Sequence, residues 1–276
     1  MMGPNYFEMD LDRVLGLAYW GQIDYLGESN GWPAKGWVNG SFDLSLQPKG
    51  TAYFLKSMFT DEPVVRMAII DKAAKEVMWN DVQVGTGVTG ESWNREEGSV
   101  VSMNVYTNCD RVDLVLNGRV VASKENTLNP RSRNKIRFDN IAYAPGYLEA
   151  VAYRNGKAVA RHRVETTGAA KKLTLIPDAI EWQADGTDLM HVRVNAVDQK
   201  GRRVWSAQDL LTFSVEGDAR IVAVDNGNIY SDELHVGNTR RLYNGSALVI
   251  LRAGHTSGKV VLNVSDATGK KAKVTL

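Results

Sequence analysis

The chain has 276 residues, 33 lysines and arginines against 32 aspartates and glutamates, and one cysteine. That balance creates no long-range field for nucleic acid or an anionic membrane, and no apolar run reaches the roughly 18 residues that span a bilayer. A single cysteine excludes an internal disulfide framework and a multi-cysteine zinc site, and the length suits about two domains at ~100–200 residues each.

The first six residues (MMGPNY) lack a basic region followed by an apolar one, so this chain shows no signal peptide. Val14–Tyr19 is apolar on both faces and reads as a strand covered on both sides, as in parallel sheets. It ends at Trp20 and is followed by Asp24-Tyr25-Leu26-Gly27-Glu28 and a loop rich in Gly, Asn and Trp, containing Trp32, Pro33 and Trp37. After Pro48-Lys49-Gly50, the stretch Thr51–Phe59 fits a helix with one apolar face. Strand, loop and helix make one β/α unit over residues 1–62, without the neighbours needed to close a sheet.

From Pro63 the hydrophobic period becomes two. Strands are expected at Val64–Ile70, Glu76–Val84, Val100–Tyr106, Arg111–Leu116, Lys135–Asn140, Gly146–Arg154 and Lys157–Glu165, with turns at Asn117-Gly118, Pro145-Gly146 and Asn155-Gly156. Within VYTNCDRVDLVLNG (Val105–Gly118) the polar Asn108-Cys109-Asp110 interrupts the first strand. This spacing predicts an immunoglobulin-like β-sandwich over 63–167 without paired cysteines. Thr166–Lys172 reads as a linker, and a second all-β segment over 168–276 has turns at Asp185-Gly186, Lys200-Gly201, Asn226-Gly227 and Asn244-Gly245. The fold class is therefore mainly β: two immunoglobulin-like sandwiches preceded by a strand–loop–helix segment.

Chemistry-bearing motifs are few. Gly85-Thr86-Gly87-Val88-Thr89-Gly90 matches G-x-G-x-x-G in form, but no apolar helical face follows it, so a glycine-rich sandwich loop is expected rather than a dinucleotide site. His162, His191, His235 and His255 stand far apart, so no metal site and no cofactor are expected. Cys109 reads as a small buried apolar residue. Asp185-Gly186-Thr187-Asp188 and Asp225-Asn226-Gly227-Asn228 read as tight turns rather than calcium loops. Asp24 and Glu28 are the carboxylates beside clustered aromatics; a pair about 5 Å apart is what retaining glycoside hydrolysis needs, while the bland alternative is that they anchor the loop. Trp20 is expected either to contact a sugar at the end of an α/β-barrel strand or simply to pack.

Leu17-Ala18-Tyr19-Trp20 through Asp24-Tyr25-Leu26-Gly27-Glu28, with Gly40–Leu44, Pro48-Lys49 and the Tyr53–Phe59 helix, resembles the closing segment of the barrel of glycoside hydrolase family 2 β-galactosidases. VYTNCDRVDLVLNG, Pro145–Ala150 and Glu165–Gly168 resemble the sandwich after the barrel in Bacteroides-type members; Ala184–Asp188 and Phe213–Gly217 resemble a terminal, invasin-like sandwich. The resemblance implies that residues 1–62 are the last β/α unit of a (β/α)8 (TIM) barrel and that both catalytic glutamates lie on earlier strands. No residue here is then catalytic, and Trp20 alone carries over as a substrate-binding residue of an intact barrel. It also implies a non-catalytic accessory region of a carbohydrate-degrading hydrolase from the periplasm or outside the cell, whose partner is carbohydrate through the parent enzyme. A stand-alone carbohydrate-binding or adhesion-type module is the alternative, with Trp93, Trp182 or Trp205 as exposed aromatics, although single tryptophans in sandwiches more often pack in the core or at turns. Residues 1–62, left with uncovered apolar faces, are expected to fold onto the first sandwich or to mediate a homodimer.

Overall fold

A computed structural model describes the chain apart from residues 1–6, 11, 17, 19, 30–34, 80–81 and 131, and gives the backbone without side chains for 72–79 and 82–89. The chain forms two compact units, Met1–Asp43 with Gln47–Thr166, and Leu44–Leu46 with Thr167–Leu276. No described helix is long and apolar enough to cross a membrane.

In the first unit, Tyr25–Leu26 (β1) and Gly36–Trp37 (β2) form a small antiparallel ladder. The apolar run before it does not become a covered strand. Val14, Gly16 and Ala18 join no ladder and Leu15 lies fully in solvent; Leu17 and Tyr19 fall outside the described residues. Two apolar faces make a buried strand only where neighbouring strands and helices cover them, and among the described residues none does. Trp32 and Pro33 also fall outside the described residues.

The predicted helix is present as α1, Gly50–Phe59. It buries Ser57 against the sandwich, Phe54 meets the Tyr106 ring at 5.6 Å between centroids, and Arg66 lies over Tyr53 at 4.4 Å. Thr60, its C-cap, is extended and makes no glycine cap, so side chains must satisfy the last carbonyls. Asn108 does so. Its amide nitrogen donates to the carbonyls of Thr60 and Glu62, both at 2.8 Å, and its Oδ1 accepts the Val64 N–H at 2.9 Å. Asn134 adds a bond to the Ser57 carbonyl at 3.0 Å. Replacing Asn108 by Ala orphans these groups and will cost about 1–3 kcal/mol. Hydrogen exchange is expected to accelerate in α1 and at Val64 while the second unit is unchanged; unaltered α1 protection contradicts the clasp.

The first sandwich packs one sheet, ordered β4-β3-β5-β8, on another ordered β10-β9-β6-β7. These strands are Val65–Trp79 (β3), Val82–Gly90 (β4), Val100–Thr107 (β5), Arg111–Leu116 (β6), Arg119–Glu125 (β7), Lys135–Ala142 (β8), Tyr147–Arg154 (β9) and Lys157–Glu165 (β10). The expected strand Glu76–Val84 instead takes in the end of β3 and the start of β4, and Gly85–Gly90, expected as a loop, is the second half of β4. The Val and Thr between those glycines keep strand character, and each paired backbone group gains a ladder partner from β3. Asn108-Cys109-Asp110 does not interrupt one strand: β5 belongs to one sheet and β6 to the other, so these residues carry the chain across.

Alternation sends Met67, Ile69, Met103, Val105, Leu114, Phe138 and Leu148 into the core around Trp93. Phe138 and Ile141, three apart, both point inward. A strict period of two forbids that. The extra residue in β8 shifts the register against Val101 and Met103, with Asn140 at φ 56°, and this bulge turns Ile141 back to the core.

The second sandwich packs sheet β11-β12-β16-β14 on sheet β15-β13-β17-β18. The strands are Lys172–Pro177 (β11), Leu189–Val197 (β12), Leu210–Glu216 (β13), Ala219–Asp225 (β14), Thr239–Arg241 (β15), Ser246–Ala253 (β16), Val261–Asp266 (β17) and Lys271–Thr275 (β18). Met190, Val192, Val194, Leu211, Phe213, Val249, Leu251 and Leu262 fill its core. Buried Asp198 ties the loop after β12: its Oδ1 accepts the N–H groups of Lys200 and Arg202, and its Oδ2 accepts Arg202 Nη2 at 2.6 Å. The Arg202 guanidinium holds this carboxyl well below the usual carboxylate range.

Candidate functional site

The one solvent-facing aromatic–carboxylate cluster built by the predicted site residues stands on the β1–β2 ladder. Gly21, at φ 67°, turns the chain after Trp20 and packs beside Trp37 and Tyr25; a Cβ there would meet both rings at 3.2–3.3 Å. Trp20 is 76% exposed, yet its indole is held: Nε1–H donates to the Tyr25 hydroxyl at 3.1 Å. That hydroxyl in turn donates to Glu28 Oε2 at 2.5 Å. Because the Glu28 carboxylate accepts this hydrogen bond, the Tyr25 phenol is pushed up from its ordinary value and stays protonated. The result is an indole face in water, oriented by a phenol–carboxylate relay. Such a face suits an apolar patch of C–H groups, and the carboxylate retains acceptor lone pairs for a hydroxyl.

Asp24 takes no part in this cluster. It is buried, accepts the Gly40 N–H at 2.9 Å, and receives both oxygens' contacts from Lys49 Nζ at 2.7 and 2.9 Å. Lys49 also donates to the Val38 carbonyl at 2.8 Å and stands at the N-cap of α1, so one ammonium joins the Trp20 segment, the loop and the helix. Burial raises the Asp24 carboxyl, and Lys49 opposes that rise. Asp24 and Glu28 therefore have separate structural partners, Lys49 and Tyr25. Asp24 is the loop anchor.

The other sequence candidates are structural. Trp93, which only the binding-module alternative would expose, is completely buried, donates to the Ala144 carbonyl at 3.2 Å and meets Tyr143 edge-on at 5.3 Å; the first core needs its volume. Trp182 packs against the second core, and Arg203 lies over Trp205 at 4.2 Å. Asp185 Oδ1 accepts the N–H groups of Thr187 and Asp188, and Asp225 Oδ1 those of Asn226 and Gly227, which makes both motifs tight turns. Cys109 is buried and free. Among the described residues no three His, Cys, Asp or Glu side chains converge. Tyr25 and Lys49 were not singled out beforehand. Their partners lie three to twenty-five residues away in irregular chain, where no period marks them.

Residues 173–275 match the family described as glycoside hydrolase family 2 C-terminal domain 5, and residues 98–160 match a domain of unknown function, DUF4982. A β-galactosidase of Bacteroides ovatus, BoGH2A, is 30% identical over 261 residues, which are 93% of this chain and 28% of that protein. A β-glucuronidase of Formosa agariphila is 32% identical over 184 residues, covering 66% of this chain and 16% of that protein. A solved glycosyl hydrolase family 2 member from Bacteroides cellulosilyticus superposes with a TM-score of 0.85 at 31% identity, covering 93% of this chain and 35% of that structure. The chain thus spans about a third or less of the length of these relatives.

Proposed function

Since this chain belongs to the C-terminal, accessory β-sandwich region of glycoside hydrolase family 2 proteins, we propose that it serves a β-galactosidase-type enzyme without supplying its catalytic carboxylates. Hydrolysis of a glycosidic bond needs two carboxyl groups flanking it. The two candidate carboxylates are already engaged, Asp24 with Lys49 and Glu28 with Tyr25. The observation that carries the reading is the exposed Trp20 ring, fixed in orientation while its face stays open.

In the whole enzyme this face lines the sugar subsite, with the rest of a barrel completing the site. Leu15, Ile23, Leu26 and Phe59 are also exposed in residues 1–62. They are covered there by the remainder of the enzyme. The β-galactosidase likeness of BoGH2A supports a β-galactoside as substrate class, and the enzyme's place is the periplasm or the cell exterior.

The purified chain is expected to leave a chromogenic β-galactoside intact and to be retained by no glycan on an array. Turnover at an enzyme-like rate by this chain alone overturns the reading. In a longer protein that carries the glutamates, Trp20→Ala will lower kcat/KM about 10- to 100-fold, the equivalent of losing roughly 1.4–2.7 kcal/mol of stacking. A change below about twofold removes Trp20 from the subsite.

A further inference from the structure

A sheet edge is a template for another strand, and proteins usually guard it with charge or proline. The four sandwich sheets end in β4 and β8, β10 and β7, β11 and β14, and β15 and β18. Seven of these eight edge strands carry at least one lysine or arginine. The exception is β4. Its nine residues, VQVGTGVTG, contain no charge and no proline, and β3 pairs with one side of it only. From Lys72 onward β3 has no strand partner but β4, so this part is a two-stranded ribbon. Ribbons of two strands are marginal in water without further pairing.

The composition of β4 also selects what pairs with it. Val84-Gly85-Thr86-Gly87-Val88 reads the same in both directions. An antiparallel strand of the same sequence, related by a two-fold axis at Thr86, places Val84 opposite Val88, Gly85 opposite Gly87, Thr86 opposite Thr86 and Gln83 opposite Thr89. The central Val–Val, Gly–Gly and Thr–Thr pairs are then matched in size, and no charge is brought against another. We propose that β4 is a self-association edge: two copies of this chain join β4 to β4 antiparallel about Thr86, making one sheet of eight strands across the dimer.

The test uses sedimentation velocity of the full chain across a concentration series. Wild-type protein is expected to dimerise. Thr86→Lys and Thr86→Glu, which each place like charges on the axis, are expected to weaken the dimer at least about tenfold when alone, and to restore it when mixed. Recovery on mixing shows that both variants are folded. Hydrogen exchange of Val82–Gly90 is expected to slow in the dimer. A monomeric wild type overturns the proposal, as does a mixture that associates no better than either variant alone. A dimer that survives Thr86→Lys but dissociates on Leu15→Ser places the contact in residues 1–62 and equally overturns it.

Discussion

From pH 7 to pH 5 the first unit will lose about 2 kcal/mol through one imidazole, at about 1.4 kcal/mol per pH unit below the normal histidine value. His162, on β10, has a side chain only 10% exposed, and its Nδ1 accepts the Met67 N–H at 3.1 Å. Met67 lies on β3 ahead of Ile69, where β4 begins to pair, so the ring satisfies a backbone donor that the ladder leaves over and joins the two sheets. Burial first, and the nearby Arg66 guanidinium second, push the ring from 6.5 to about 3. The unfolded chain therefore takes up this proton near 6.5, and the folded chain only near 3. Stability from this site is complete above 6.5 and is lost as the pH falls toward 3. Glu91 Oε2, 3.8 Å from Nε2, is the carboxylate facing the ring, and it is already engaged by Arg66.

Other groups titrate as well. Burial raises Asp24 and Asp71, whose contributions run in the opposite sense, so the informative quantity is the difference between wild type and His162→Gln. Opening free energies from hydrogen exchange of β5 and β9, taken at pH 7 and pH 5, should fall by about 2 kcal/mol in wild type and by less than half as much in the variant. Equal losses dismiss His162 as the cause.

The second large effect belongs to Arg240, whose side chain is fully buried. Nη1 donates to the carbonyls of Glu233 at 3.0 Å and Leu234 at 3.4 Å, and Nη2 donates to Asn226 Oδ1 at 3.0 Å, with the Glu233 carboxylate 3.9 Å from Nε. The loop between β14 and β15 is folded around this guanidinium. Arg240→Met keeps the apolar stem and removes every donor, taking the guanidinium from the Glu233 and Leu234 carbonyls and from Asn226 Oδ1, and the nearby positive charge from the Glu233 carboxylate. The cost expected for breaking such a buried arrangement is about 3–5 kcal/mol. For a unit of this size that lowers Tm by more than about 12 °C. Calorimetry should show the loss in one transition, assigned to the second unit by hydrogen exchange of β16. A shift under about 4 °C means the loop holds itself.

Elements that rest on short-range chemistry were legible. Asn117-Gly118, Asn155-Gly156 and Asn244-Gly245 each place both residues at positive φ, the geometry that favours this dipeptide in tight hairpins. Alternation located β5, β6, β9 and β10 within about two residues. What failed depended on partners distant in sequence. Nothing in Gly85–Gly90 announces that β3 extends far enough to pair with it, and nothing in Val14–Ala18 reveals that no described strand pairs with it. The polar neighbours of Trp93, Glu91 and Asn94, leave its burial undecided until two sheets close over it. At the candidate site, Trp20 and Glu28 stood out by residue type. Tyr25 and Lys49 gained their roles only once the chain had folded back on itself.

The bonds of Asn108 also say where this region divides for exchange between enzymes. A recombination seam at Pro63 looks natural from composition, yet it passes between Asn108 and the carbonyls of Thr60 and Glu62 that it caps. A sandwich transplanted from that seam would arrive with its anchoring amide empty-handed. The portable cassette starts upstream, within α1 before Ser57, and takes the helix terminus along as its own first turn.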